Sequence, residues 1–252
     1  MKQFLIAMVL LLSALSFSQN DTLFEQANQL YSDANYTEAL QKYKAIMDSG
    51  EQSAALYFNM ANAHYKLNHI APSIYYYEKA SLLNPNDKDI KNNMAFAKNM
   101  TLDAIDTVPE VGLAKLMNSW TKTFYYEVWA KISVAFAILF VILFISYFFV
   151  SSTGKKRFAF VSSILCLLLV FASFGLAYHG HDLVANNQPA IVFAKEAQIK
   201  SEPNLRSTEA FKLHEGTKVQ VLDSVDNWKK IKLADGKTGW VMNEDIKLVK
   251  TF

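Results

Sequence analysis

The chain has 252 residues, 52% of them apolar, and a formal net charge of +2. The near balance of acidic and basic residues argues against nucleic acid as a partner. A single cysteine, Cys166, excludes a framework of intrachain disulfides. Apolar residues are concentrated in three blocks, and the chain is long enough to form two folded modules between and after them.

The first apolar block, residues 4–17, follows Lys2, and the small residues Ser16 and Ser18 lie at its C-terminal end, next to Gln19. This pattern predicts a cleaved signal peptide over 1–18, because the apolar run is short for a membrane span. An uncleaved anchor helix is the alternative. No cysteine lies near the cleavage site, so a lipid-anchored precursor is excluded.

Residues that recur at a spacing of 34 follow the signal peptide. They are Ala27, Ala61 and Ala95, together with the pairs Tyr31 and Tyr65, Tyr43 and Tyr77, and Asn28 and Asn62. A period of 34 residues resembles the tetratricopeptide repeat, a pair of helices. We therefore expect an all-α tetratricopeptide solenoid over 20–104, with repeats at 20–53 and 54–87 and a capping helix at 88–104. The alanines should allow close approach of paired helices, and the large Tyr43 and Tyr77 should fill the space between helices.

The tetratricopeptide resemblance implies a groove, lined by the first helix of each repeat, that binds extended peptides or partner helices. The protein-binding residues predicted in this groove are Phe24, Asn28, Tyr31, Phe58, Asn62, Tyr65, Phe96 and Asn99. One subclass clamps a partner's C-terminal carboxylate, and Asn28 and Asn59 match its two asparagines. The three positions that are basic in that subclass are occupied in this chain by Phe24, Asp89 and Asn93. The sequence therefore favours ordinary surface asparagines over a clamp.

The other two apolar blocks, 132–150 and 158–178, each approach the ~20 residues that a helix needs to cross a bilayer. Neither block contains a charged residue. Both are predicted transmembrane helices, and 105–131 is a linker and interfacial segment. Aromatic residues typical of a membrane interface flank the spans at Trp120, Tyr125, Tyr126, Trp129 and Tyr178.

The orientation of the spans follows from two signals. The signal peptide exports the chain that follows it, and the segment 151–157 contains three consecutive basic residues, Lys155, Lys156 and Arg157. We expect this segment to be a cytoplasmic loop, because basic residues are retained on that side. The prediction is a two-pass protein of a bacterial inner membrane, in contact with the lipid bilayer and with both its N-terminal and C-terminal domains in the periplasm.

Beyond the second span, residues 188–250 alternate between apolar and polar positions and contain turn dipeptides. Asp235-Gly236 predicts a tight hairpin between strands at 228–233 and 238–241. This order, ending in Gly239-Trp240-Val241, resembles the bacterial SH3-like domain. The resemblance implies an all-β, five-stranded barrel that binds peptides or peptidoglycan. Trp228 and Trp240 are candidate protein-binding residues, although packing within the barrel is the favoured alternative.

Catalytic, cofactor and metal sites are not predicted, and we expect no enzyme. The pattern His179-Gly180-His181-Asp182 is the best metal candidate, but no further ligand is recognisable, and an interfacial loop is expected there. Neither a Gly-x-Ser-x-Gly elbow nor a complete phosphate-binding loop occurs in the sequence. Cys166 lies within the second predicted span, where a passive apolar role is expected.

The order of repeats, two spans with a basic loop, and a C-terminal SH3-like domain resembles the BatE proteins of the Bacteroidetes aerotolerance operon. That resemblance implies partners among membrane proteins with von Willebrand factor A domains and a MoxR-type ATPase system, and a role in aerotolerance or envelope stress. A membrane-anchored protein-protein interaction scaffold is the leading functional hypothesis. A cell-wall-binding envelope sensor and a hydrolase with an unrecognised site are the alternatives. Each exported module is expected to carry its own sequence signal for folding.

Overall fold

The computed structural model describes residues 20–106, 108–109 and 111–250, so the predicted signal peptide lies outside the described residues. The chain forms two compact units. One unit, called here the repeat-sheet unit, joins Met1–Thr107 to Gln188–Phe252. The other, the long-helix unit, is Val108–Asn187.

Helices form the N-terminal part of the repeat-sheet unit. They are α1 (20–32), α2 (Tyr36–Asp48), α3 (Ala54–Lys66), α4 (Ile70–Leu83) and α5 (Lys88–Lys98). Two of these helices begin at residues whose side chains accept hydrogen bonds from the first turn. The Ser53 hydroxyl accepts from the N–H of Leu56, and the Asp87 carboxylate accepts from the N–H groups of Asp89 and Ile90. The helix pairs confirm the all-α repeat solenoid.

The repeated small and large residues pack as expected in the first two repeats. Ala27 and Ala61 are fully buried, and so are Tyr43 and Tyr77. Ala95, the third alanine of the series, is exposed instead. The described residues between α5 and the next helix form no second helix, so no partner helix covers that side of α5. Ala97 is the buried alanine of α5.

The long-helix unit contains α6 (Gly112–Thr121), α7 (Tyr126–Phe149) and α8 (Thr153–Ala185). Both α7 and α8 are long and apolar enough to cross a membrane. The expected loop at 151–157 is wrong, because only 150–152 separate the two helices and the N–H of Lys156 already bonds to the carbonyl of Ser152. The three basic residues thus lie in the first turns of α8, since a helix can continue beyond the apolar stretch.

Small residues line the side of α8 that is buried in the long-helix unit. The Ser133 hydroxyl of α7 donates to the carbonyl of Val170 at 3.1 Å across the helix pair. Ala159, Ser163, Cys166, Ser173, Ala177 and Gly180 are buried at spacings of three, four or seven. This spacing is typical of helices packed along a heptad seam, and small residues there allow close approach.

The C-terminal part of the repeat-sheet unit is an antiparallel sheet. Its strands are β1 (Pro189–Val192), β2 (Glu196–Lys200), β3 (Glu209–His214), β4 (Lys218–Val225), β5 (Trp228–Lys232), β6 (Thr238–Met242) and β7 (Ile246–Leu248), with a short 3-10 helix at Asn243–Asp245. The predicted hairpin is confirmed, since Trp228 pairs with Met242 and Lys232 with Thr238. Gly236 in its turn has a φ of +92°, which favours glycine.

The sheet does not close into the barrel that the family resemblance implied. Its seven strands follow the order β3-β2-β6-β5-β4-β1-β7, with β3 and β7 at opposite ends. The segment after α8 forms β1, which pairs with β4 on one side and β7 on the other. These two added strands extend the sheet at the edge of β4 instead of closing it.

The sheet and the repeats share a hydrophobic core. Successive residues of a strand point to opposite faces, and β1 is buried on both. Ala190 and Val192 pack within the sheet, whereas Ile191 packs with Ala71, Ile74 and other residues of the repeats. The two modules therefore pack as one compact unit.

Candidate binding surfaces

Hydrogen bonds between an asparagine, a tyrosine and a second asparagine recur in the repeats; we call each set an Asn-Tyr-Asn bridge. In the first bridge, Asn28 Oδ1 accepts from Tyr43 Oη at 2.6 Å and from Asn59 Nδ2 at 2.9 Å. In the second, Asn62 Oδ1 accepts from Tyr77 Oη at 2.5 Å and from Asn93 Nδ2 at 3.0 Å. Each bridge joins the first helix of one repeat to the second helix of that repeat and to the first helix of the next.

A phenylalanine one helical turn before each of Asn28 and Asn62 packs against the tyrosine of the same bridge. The rings of Phe24 and Tyr43 have centroids 5.8 Å apart, and those of Phe58 and Tyr77 are 6.0 Å apart. Burial raises the pKa of Tyr43 to about 12 and raises that of Tyr77 as well. Both hydroxyls therefore stay protonated at neutral pH and remain donors to the asparagines.

The predicted groove residues differ in accessibility. Six are half-buried and contribute to packing: Phe24, Asn28, Tyr31, Phe58, Asn62 and Tyr65. Phe96 of α5 and Asn99, which directly follows this helix, are exposed, and 61% of Phe96 is accessible. Within the described chain, Asn28 Nδ2 and Asn59 Oδ1 make no hydrogen bond and are not buried. These amide atoms and the exposed ring of Phe96 are available to a ligand.

The two asparagines compared with a carboxylate clamp have a structural role that the sequence did not reveal. Asn28 and Asn59 are hydrogen-bonded to each other, so neither is an ordinary surface residue. The sequence feature that could have revealed this contact is the shared period, because Asn28 and Tyr43 recur together as Asn62 and Tyr77. Their common spacing of 15 indicates a contact that is repeated with the helix pair.

A histidine pair lies at the turn between α3 and α4. His64 Nδ1 and His69 Nδ1 are 3.2 Å apart, and the His64 ring stacks on Tyr76. Burial, with a smaller contribution from His69, lowers the pKa of His64 to about 4. The imidazole of His64 is therefore neutral at physiological pH.

Ionic contacts join the sheet to the repeats at Glu78 of α4. Glu78 Oε2 lies 2.7 Å from Lys218 Nζ of β4, and its Oε1 lies 3.1 Å from Lys98 Nζ of α5, outside hydrogen-bonding angles. Burial alone would raise the pKa of Glu78, but the two lysines outweigh it and lower the pKa. The carboxylate thus stays ionised between cations from both modules.

Asp103 fixes the segment after α5 to the turn between β3 and β4. Its Oδ1 lies 2.7 Å from His214 Nδ1. Its Oδ2 accepts from the His214 N–H at 2.7 Å and from the Thr217 hydroxyl at 2.5 Å. Burial would raise the pKa of Asp103, but these bonds lower it. Next to these residues is a cleft of about 650 Å³, lined on one side by Lys98, Thr101, Asp103 and Ile105, and on the other by residues 216–220 and 232–234.

The two candidate tryptophans of the sheet have different environments. Only 8% of Trp228 is exposed, which agrees with packing rather than with a binding face. Trp240 is half-buried, and Lys230 Nζ lies 6.0 Å from the centre of its ring. Of the two, Trp240 presents the larger surface to a ligand.

The candidate metal pattern at 179–182 is helical rather than an interfacial loop, because α8 continues to Ala185. His179 Nε2 lies 2.9 Å from Asn118 Oδ1 of α6, and the ring of His181 packs edge-on against Tyr126. Across the part of the chain that the structure describes, no group of three or more His, Cys, Asp or Glu side chains could hold a metal ion.

Comparison with protein families identifies two modules. Residues 195–247 match the bacterial SH3 domain, and residues 54–87 match the tetratricopeptide repeat. A search of curated proteins gives no match. Both modules are typically non-catalytic, and together they support a protein-interaction or cell-wall-binding role.

Proposed function

We propose that this protein is a membrane-anchored interaction scaffold of the bacterial envelope, which binds an extended segment of a partner protein along the first helices of its repeats. The observation that carries the proposal is the repetition of the Asn-Tyr-Asn bridge. Each bridge holds its amides in place, and in the first bridge Asn28 Nδ2 and Asn59 Oδ1 make no hydrogen bond to the described residues. Preorganised polar atoms beside aromatic rings suit a peptide backbone with apolar side chains.

Crosslinking in living cells tests this surface. A photoreactive phenylalanine analogue in place of Phe96, which is exposed on α5, should capture a partner protein. The matched control is the same analogue at Lys44, which is exposed on α2. Equal capture at the two positions would show that the first helices are not a preferred binding surface.

The partner class follows from the BatE resemblance. We propose exported domains of membrane proteins with von Willebrand factor A domains, acting with a MoxR-type ATPase system in aerotolerance or envelope stress. A scaffold anchored in the same membrane meets such partners at a high effective concentration, so that weak contacts suffice. Mass spectrometry of the species crosslinked at Phe96 identifies the partner, and recovery of cytoplasmic proteins alone would contradict this assignment.

The proposed topology places the repeat-sheet unit in the periplasm. The helices α7 and α8 return the chain to the side from which it entered, and the basic residues at 155–157 favour the cytoplasm for the connection between them. A cysteine in place of Ser207, which lies between β2 and β3, should react with an impermeant maleimide in intact cells after permeabilisation of the outer membrane only. A cysteine in place of Ser152 should not react, and the reverse pattern would invert the topology.

A cell-wall-binding sensor is the second candidate, supported by Trp240 beside Lys230 on the sheet. Aromatic faces bind sugar rings, and a lysine can pair with the carboxylates of peptidoglycan stems. The full-length protein in detergent should then sediment with purified peptidoglycan, and Trp240→Ala should reduce the bound fraction severalfold. Sedimentation that is unaffected by this change, or absent altogether, would leave the scaffold as the sole function.

A further inference from the structure

The helix α6 has an apolar face that is exposed within its unit. Leu113, Leu116, Met117 and Trp120 are spaced as neighbours on one side of a helix. All four are exposed, with 81% of Leu113 and 56% of Trp120 accessible. Lys115 and Ser119, also exposed, lie on the opposite side. The helix is therefore amphipathic, with its apolar face uncovered by the described residues of its own unit.

Contacts with α8 prevent this face from turning inward. Asn118 Oδ1 lies 2.9 Å from His179 Nε2, and Thr121 is buried. The backbones approach closely at Gly180, where a Cβ would lie only 3.0 Å from Thr121 Cγ2 and 3.1 Å from Tyr126 Cβ. These contacts fix α6 by its polar side against residues 179–180 of α8.

The position of these contacts along α8 determines the depth of α6 in the proposed membrane. The uncharged stretch 158–178 has 21 residues, and at 1.5 Å per residue it spans ~31 Å, close to the ~30 Å of the hydrocarbon core. If α8 crosses the membrane as proposed above, His179 lies at the boundary between hydrocarbon and headgroups. The hydrogen-bond distance to Asn118 places α6 at the same boundary.

We propose that α6 is an in-plane interfacial helix, whose Leu113, Leu116, Met117 and Trp120 insert among the acyl chains of the lipid leaflet next to His179. An amphipathic helix at this depth gains free energy by burying its apolar face, and tryptophan favours the interface. The exposed Lys115, on the other side, faces the aqueous phase and the phosphate headgroups. The inference rests on the proposed membrane anchoring, and it adds a second, surface-bound anchor to the two spans.

Spin labelling of the full-length protein tests the proposal. In a Cys166→Ala background, single labels replace Leu113 or Met117 on the apolar face, and Lys115 or Ser119 on the polar side as matched controls. The protein is placed in nanodiscs of phosphatidylcholine and phosphatidylglycerol. Accessibility to oxygen, which concentrates in lipid, is compared with accessibility to a water-soluble nickel chelate.

The labels at 113 and 117 should favour oxygen over nickel by severalfold more than those at 115 and 119. A label in place of Ile138, exposed on α7, reports on the span itself. If the label at 138 is in lipid but all four α6 labels favour nickel, the interfacial helix is refuted and the anchoring stands. Labels at 113 and 117 shielded from both reagents would show that protein, not lipid, covers the face, which also refutes it. A label at 138 in water would overturn the anchoring itself, and the inference with it.

Discussion

Tyr77 donates its hydroxyl to Asn62 from an almost fully buried ring, so the acceptor has an energetic role. Replacing Asn62 by Ala leaves the hydroxyl without a partner, which should cost about 1–3 kcal/mol of unfolding free energy. Adding Tyr77→Phe should recover part of this loss, because the unpaired hydroxyl is then removed. Asn99→Ala, on the exposed end of α5, is the control and should stay within about 0.5 kcal/mol of wild type. Thermal unfolding of the detergent-solubilised protein measures these differences, and equal stability of the Asn62 and Asn99 variants would show that the bridge contributes nothing.

The buried imidazole of His64 predicts a pH dependence of stability. Its pKa is about 4 in the folded protein, against ~6.5 in an unfolded chain. Between these values the unfolded chain binds the proton that the folded protein excludes, so stability should fall as the pH is lowered from ~6.5 to about 4. His64→Gln should flatten this part of the melting-temperature profile. His69→Gln should flatten it only slightly, because burial is the larger cause of the shift. Identical slopes in wild type and His64→Gln would contradict the assignment.

At the level of elements, local patterns predicted what depends on local chemistry. The period of 34 gave the helix pairs, and Asp235-Gly236 gave the hairpin between β5 and β6. The boundaries of α8 were missed, because a helix can extend beyond its apolar stretch into polar and charged residues. The strand β1 is only four residues long, and its role depends on the edge of β4 and on α4, which no local pattern records. The barrel implied by the family resemblance does not include this added strand, and the sheet remains open.

The turn between β3 and β4 packs closely against α4, so its Gly216 should be sensitive to substitution. Gly216 and Gly236 both have positive φ, so alanine at either position should cost about 1–2 kcal/mol of backbone strain. A Cβ at 216 would also meet Ile70 Cγ2 at 2.8 Å and Thr101 Cγ2 at 2.9 Å, whereas a Cβ at 236 meets nothing within 4 Å. Gly216→Ala should therefore be less stable than Gly236→Ala by about a further 1–3 kcal/mol in urea unfolding. Equal losses would mean that this turn is not packed against the repeats.

For the whole molecule, the junction of repeats and sheet is the feature that sequence reasoning could not reach. Lys218 is 140 residues from Glu78, and His214 is 111 residues from Asp103. Each of these residues is of a type that usually lies on a solvated surface, and only the fold brings the two members of each pair together. The candidate groove was easier to predict because its residues repeat, yet their hydrogen bonds to one another were not visible in the pattern.

The shared core predicts that the sheet stays bound to the repeats when the covalent link is cut. A protease site inserted after Asn187, just before β1, would release residues 188–252 from the rest of the chain. The cleaved wild-type fragment should still co-elute with the repeats in detergent, because Ile191 and Val249 are buried in the cluster with residues of α4. Ile191→Asp places an unpaired charge in that cluster, and its fragment should separate after cleavage. Leu222→Asp, the same kind of change at an exposed position of β4, should leave the fragment bound. Tryptophan fluorescence of the released Ile191→Asp fragment checks that its sheet is still folded. Release of the cleaved wild-type fragment would show instead that the modules are independent and joined only by the chain.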